Sequence, residues 1–207
     1  MRYHKIPDET VRRLPVYLRG AIHLSQQGVE HVSSAHLAGL LGVKPWQIRK
    51  DFSYFGDFGT PGVGYPLESL IKQINKILRL DSGPRAVLVG VGNLGSALLA
   101  FPGFRMYGFE IAAAFDTDKR KIGRTKSGVP IEDVAQLRRI RRRRIGLGII
   151  AVPEAAAQET AATLVEAGIK GILNFSPCYI AVPKRVKVIT IDIAMDLARL
   201  PYYMPSS

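Results

Sequence analysis

The chain has 207 residues, room for one medium domain or two small ones, and its 47% hydrophobic content is enough for buried cores. With 29 Lys and Arg against 17 Asp and Glu, the formal net charge of +12 favours a polyanionic partner, because each cation seated on a phosphate releases condensed counterions. The single cysteine, Cys178, excludes an intrachain disulfide or a multi-cysteine metal site and fits a reducing cytoplasm, and no apolar stretch approaches the roughly 20 residues of a membrane helix.

In chain order, a first helix is expected from Asp8 or Thr10 through Val11, Leu14, Leu18, Ile22 and Leu24 to Gly28, kinked or restarted at Pro15. Ser33 and Ser34 are candidate N-caps of a second helix, whose Leu37, Leu40 and Leu41 form an apolar face before Gly42 turns the chain. Residues 44–54 read as a third helix, with Ile48 and Phe52 facing inward and Lys44, Gln47, Arg49 and Lys50 on other faces. Such a helix suits a major groove: Arg and Lys match guanine O6/N7 or phosphate, and Gln matches adenine N6/N7.

Residues 55–65 place four glycines among Phe55, Phe58, Val63 and Tyr65, which predicts a tight β-hairpin, the wing of a winged helix. Ser33, Ser34, Lys44, Gln47, Arg49, Lys50, Tyr54, Thr60 and Gly62 are therefore the candidate DNA contacts. An amphipathic helix over 67–78 leads into the turn-forming Asp81-Ser82-Gly83-Pro84, giving a DNA-binding domain over 1–80 and a second domain over 81–207.

The second domain opens with a β-rich run at 85–89, then Gly90-Val91-Gly92-Asn93-Leu94-Gly95, then a helix-favouring segment. The first glycine permits a tight turn, the second lets a pyrophosphate approach the backbone, and the third lets helix and strand pack closely; the helix N-terminus offers N–H groups to the phosphates. A strand at 109–115 ends at Asp116, about twenty residues beyond the last glycine, where a carboxylate binds the ribose hydroxyls and disfavours a 2′-phosphate. NAD(H) over NADP(H) is expected, tempered by Lys119, Arg120 and Lys121. Strands at 145–152, 169–175 and 186–191, with a helix at 155–166, complete a doubly wound parallel sheet, an α/β domain. Val152, Pro153, Asn174, Ser176 and Pro177 fall at strand ends, where such sheets bind ligands, and join Gly90, Gly92, Asn93, Leu94, Gly95 and Asp116 as candidate cofactor contacts.

Catalysis has little support. All four histidines, His4, His23, His31 and His36, lie in the first domain, Lys184 stands one position too far from Tyr179 for a Tyr-x-x-x-Lys pair, and no metal-ligand spacing occurs. The arginines at 138–144 read as a solvated face.

Together these signatures describe a DNA binder linked to a dinucleotide, and the chain resembles the Rex family of redox-sensing transcriptional repressors over nearly its whole length. The resemblance is carried by Pro15-Val16-Tyr17-Leu18-Arg19, Ser33-Ser34, Leu40-Leu41-Gly42-Val43, residues 47–56, Gly62-Val63-Gly64-Tyr65, residues 90–95, Pro102-Gly103-Phe104, residues 168–175 and Asp192. It implies a homodimer with two winged helices, two Rossmann domains binding NADH or NAD+, and a C-terminal helix exchanged between subunits. It further implies that NADH releases a pseudo-palindromic double-stranded operator, that Arg49 and Lys50 contact DNA, and that Arg19 meets Asp192 as a switch. Three positions depart from the pattern: Pro61 stands where an Arg is usual in the wing, Phe101 where some members have Tyr, and Ile193 where some have Phe. A sensor of another adenine-containing ligand such as coenzyme A, and a small NAD-dependent oxidoreductase, are the competing readings.

Overall fold

The chain divides into two units, residues 1–82 and 83–207, in a computed structural model that describes residues 6–60 and 62–204. In the first unit, α1 spans Asp8–Gln26, its Asp8 and Glu9 placed against the positive end of the helix dipole. Helix α1 runs unbroken through Pro15, contrary to the expected restart. Proline removes one intrahelical donor, but its ring is on the exposed side, while Leu14, Tyr17, Leu18, Ala21 and Leu24 anchor the opposite face in the core.

A two-residue strand β1, His31–Val32, precedes α2, Ser34–Leu41. Ser33 caps α2 by accepting from the His36 N–H at 3.0 Å, and Gly42 closes it with φ 67°. Helix α3, Pro45–Ser53, starts on a proline at a position where the missing N–H costs no bond. Leu40, expected on the buried face of α2, is 45% exposed.

The expected wing hairpin reduces to one isolated bridge, Thr60 with Gly64, and the short strand β2, Tyr65–Pro66, pairs antiparallel with β1 rather than with its own return arm. The aromatic side chains explain this. Phe58 is buried and stacks on Phe52 of α3 at 4.4 Å, and Tyr65 meets the same ring edge-on at 5.2 Å, so the segment is folded back onto the helical core. Helix α4, Leu67–Leu78, packs on α1 through Leu67, Leu70 and Ile74.

The second unit is built on β3 Arg85–Val89, α5 Asn93–Ala100, α6 Gly103–Met106, β4 Glu110–Asp116, β5 Thr125–Lys126, β6 Val129–Asp133, β7 Leu147–Ile150, α7 Glu154–Glu166, β8 Gly171–Asn174, β9 Lys187–Thr190 and α8 Ile193–Leu197. The sheet order is β5-β6-β4-β3-β7-β8-β9, parallel throughout except for the β5–β6 pair. Without the β5 edge this is the doubly wound order 3-2-1-4-5-6, in which the chain reverses direction across the sheet between β3 and β7.

Both faces of the central strands are buried. Val87, Val89 and Phe115 point to α7 and the 3-10 segment Val134–Arg143, where Leu137, Ile140, Ala161 and Leu164 meet them. Ala86, Leu88 and Ala114 point to the other side, towards Leu99 of α5. Strand β6 escaped the sequence reading because Pro130, Glu132 and Asp133 dilute its apolar pattern. The C-terminal α8 is only five residues long and contains no buried residue.

Candidate functional site

The cofactor cleft forms at the carboxyl ends of β3, β4 and β7. Gly90 leaves β3 at φ 96°, and a Cβ there would stand 2.4 Å from the Ala151 carbonyl, so the glycine is needed for close approach of β7. A Cβ on Gly95 would stand 1.8 Å from the Gly90 carbonyl, so α5 and β3 touch through backbone. At Gly92 the situation is reversed: a Cβ would meet nothing within 4 Å. That open backbone caps α5, whose first N–H groups, at Asn93, Leu94 and Gly95, have no intrahelical acceptor. A pyrophosphate fits there, against the helix N-terminus.

Asp116 ends β4 beside this turn. Its carboxylate accepts from the Val91 N–H at 2.8 Å, the Asp118 N–H at 2.8 Å and the Lys121 ammonium at 3.0 Å. Burial alone pushes this carboxyl up, but those three donors outweigh it and hold it below the usual range, so it is ionised at neutral pH. A carboxylate accepts about four hydrogen bonds, which leaves capacity for a ribose hydroxyl. A cleft of about 260 Å³ brings together Gly90, Gly92, Asp116, Val152 and Pro153 with Thr117, Lys121, Val134, Ala156 and Thr160.

The last five of these were not predicted as contacts. Ala156 and Thr160 carry a legible signal, four apart on one face of α7, whereas Lys121 and Val134 reach the cleft only through turns whose path is not local. Asn174 and Ser176, also expected as cofactor contacts, are buried and are not on the lining of this cleft. The Asn174 amide donates to the Ser176 and Cys178 carbonyls at 3.0 Å, and the Ser176 hydroxyl donates to the Val152 carbonyl at 2.6 Å. They shape the β8 loop and fix it to the β7 loop. Pro177 is exposed on the same loop outside the cleft.

In the first unit, Lys44, Arg49 and Lys50 are exposed on or beside α3, and Thr60 and Gly62 are exposed in the wing turn. The Arg49 guanidinium donates to the Ser34 hydroxyl at 2.9 Å, joining α2 to α3, and Tyr54 is half-buried at the end of α3. Ser33 commits its hydroxyl oxygen to capping α2, and the Gln47 amide turns inward to donate to Asp51 at 3.0 Å. Trp46, which the sequence reading passed over, is 54% exposed on α3.

Asp51 is the residue sequence reasoning missed. It is fully buried on α3 and accepts from Thr10, Arg13, Tyr17 and Gln47. Burial raises the carboxyl, yet these bonds, Arg13 foremost, carry it below the ordinary value. The same environment raises the Tyr17 hydroxyl, through burial and then the neighbouring carboxylate. The signal lay in spacing: Thr10, Arg13 and Tyr17 share one face of α1, and Asp51 lies on the inward face of α3 between Ile48 and Phe52.

A family model described as "CoA binding domain" matches residues 81–178, and one described as "Putative DNA-binding protein N-terminus" matches residues 5–53. The redox-sensing transcriptional repressor Rex of Carboxydothermus hydrogenoformans is 45% identical over 203 residues, 98% of this chain and 98% of that protein. The chain belongs to the Rex family of redox-sensing transcriptional repressors. The Rex of Chloroflexus aggregans is 43% identical over 96% of this chain and 94% of its own length. The solved Rex-family repressor RSP, in complex with β-NAD+ and operator DNA, matches with TM-score 0.89 at 36% identity, covering 96% of this chain and 92% of its own. RSP in complex with β-NADH matches at 0.87 and 34%, covering 96% and 94%.

These Rex relatives are repressors, and the reading of the chain as a regulator rather than an enzyme stands with them. Of the departures from the Rex pattern, Pro61 lies outside the described residues. Phe101 is 56% exposed and meets Phe104 edge-on, and Ile193 is 68% exposed on α8. Of the proposed switch pair, Arg19 is exposed on α1, and Asp192 caps α8 by accepting from the Met195 N–H at 3.0 Å.

Proposed function

We propose that this chain is a repressor that reads the NADH/NAD+ ratio and releases operator DNA when NADH binds. The observation that carries the reading is the joining of an open glycine turn beside an ionised Asp116 with a helix-turn-helix whose α3 exposes Arg49 and Lys50. In the cofactor domain the α5 N-terminus holds the pyrophosphate, Asp116 orients the ribose, and Val152 and Pro153 line the β7 side of the cleft. The nicotinamide cofactor supplies the redox signal, and the protein reads its state.

Repression of a pseudo-palindromic site requires two copies of α3 about 34–36 Å apart. Dimerisation is supported by an uncovered apolar groove of about 270 Å³ on one sheet face, lined by residues including Phe104, Ile111, Leu147 and Ile189, and by exposed Ile193, Met195, Leu197 and Leu200 near the C-terminus. A C-terminal segment exchanged between subunits covers both. The protein works in the cytoplasm, where operator and cofactor pool meet; no helix among the described residues is long and apolar enough to cross a membrane. Arg19 and Asp192 form an ion pair in one of the two dimer states and so bias the equilibrium. Driving DNA from mostly bound to mostly free requires NADH to prefer the released state by about 5.5 kcal/mol, and operator DNA then weakens NADH reciprocally.

Fluorescence anisotropy of a labelled pseudo-palindromic operator, titrated with NADH, NAD+, NADPH and coenzyme A at fixed salt, tests the reading. Release by NADH is expected. Release by coenzyme A alone would favour the ligand named by the family model over residues 81–178, and DNA binding indifferent to all four would remove the sensor.

A further inference from the structure

The arginine-rich segment at 138–144 is not a uniform solvated face. Arg138 donates to Glu166 at 2.9 Å, Arg143 grips Glu132 with both terminal nitrogens, and Arg85 pairs with Glu110. The acids of this region are thereby engaged. Arg141, Arg142 and Arg144 are exposed and have no anionic partner among the described residues.

The sheet places further cations beside them. Strands β7, β8 and β9 are parallel neighbours, so their amino ends lie side by side. The Lys170 N–H donates to the Gly146 carbonyl at 2.9 Å, which sets Lys170 beside the strand that Arg144 leads into. Arg185, exposed, stands two residues before β9. Arg141 lies over the turn into β8, its Cγ 3.9 Å from where a Cβ on Gly168 would be. At about 4.8 Å per strand, Arg144, Lys170 and Arg185 step across about 10 Å in one direction.

We propose that this edge is a second DNA-binding surface, which holds the phosphates of duplex DNA without regard to sequence. A row of unneutralised cations matches a linear polyanion, and each phosphate contact releases condensed counterions. An anionic bilayer is a poorer match, since surface anchors insert large apolar side chains, and the apolar residues here, Ile145 and Val186, are buried. The edge lies at the amino ends of the strands, and the cofactor cleft at their carboxyl ends, so DNA here does not compete for the cleft. The cation row belongs to the second unit and α3 to the first, so the two can be altered independently.

The test is the salt dependence of anisotropy with a labelled non-operator duplex. Neutralising Arg141→Gln, Arg142→Gln and Arg144→Gln together should lower affinity at low salt by about tenfold or more and reduce the log–log salt slope by about 2 to 3. An equal-charge control on the opposite sheet edge, Arg105→Gln, Arg124→Gln and Lys126→Gln, should change affinity less than about twofold by the same electrostatics. Preference for the operator over non-operator DNA, which reports the proposed function and resides in α3, should survive both. Equal effects of the two triple variants, or none, would overturn the proposal, as would a loss confined to phosphatidylglycerol vesicles. Should the arginine triple fail to melt cooperatively, Lys170→Gln with Arg185→Gln asks the same question, and an unchanged slope there overturns it too.

Discussion

Asp51 and Arg13 are joined by a bidentate pair across two helices, Nε to Oδ2 at 2.6 Å and Nη2 to Oδ1 at 2.8 Å, with Asp51 buried at the root of α3. The Tyr17 hydroxyl at 2.6 Å and Thr10 at 3.0 Å complete the clamp. It ties α3, which exposes Arg49 and Lys50, to α1, the helix that also carries Arg19.

Removing the carboxylate leaves a guanidinium, two hydroxyls and the Gln47 amide without their acceptor. Asp51→Ala should cost the first unit about 3 kcal/mol, near the low end for a broken buried pair because Arg13 keeps partial access to water. Urea denaturation reads the loss. Operator binding should fail while NADH binding to the second unit persists.

The clamp has a definite pH dependence. The Asp51 carboxyl ionises more readily folded than unfolded, so its contribution is complete above the unfolded value of about 4 and is lost as pH falls through the lower folded value. Stability should be flat in this respect between about pH 5 and 7 and fall below about 4. An acid limb unchanged in Asp51→Asn would show that other carboxyls dominate.

The three glycines of the turn should separate cleanly. Gly95→Ala and Gly90→Ala place a methyl into backbone and should destabilise the second unit by about 3 kcal/mol or more, as severe overpacking does. Gly92→Ala meets open space, so its melting temperature should stay near the parent value while NADH affinity drops about tenfold or more, the loss of phosphate approach costing about 1.4 kcal/mol. Calorimetric titration distinguishes them.

Lys121 pairs with Asp116, the carboxylate proposed to orient the ribose, at 3.0 Å, and partly neutralises it. Lys121→Met should therefore sharpen discrimination, weakening NADPH about tenfold more than NADH, since an unscreened like charge a few ångströms away costs on the order of 1 to 4 kcal/mol. Equal weakening of both cofactors would assign Lys121 a purely structural part.

Asp192 has two separable roles, capping α8 and the proposed pairing with Arg19. Asp192→Ser keeps a cap and removes the charge, whereas Asp192→Ala removes both, the cap being worth about 1 kcal/mol. Both variants should hold operator DNA with a blunted response to NADH. Full sensitivity in Asp192→Ser would leave only the cap.

The sequence by itself determined what depends on neighbours within a few residues. The Ser33 cap, the Gly42 stop, the Gly90-Val91-Gly92 turn and the strand ending at Asp116 are each specified by local backbone geometry, which is why they were legible. Tertiary structure decided what depends on residues far apart in the chain. Asp51 is a buried clamp because Arg13, 38 positions earlier, reaches it. Gln47 turns inward for the same buried charge, and Asn174 serves its own loop because strand β8 buries it. The wing is held to the single Thr60–Gly64 bridge, and Phe58 and Tyr65 on either side of it pack on the ring of Phe52. In each case a polar or aromatic group took the partner that best satisfied it out of water, and that partner was supplied by another element.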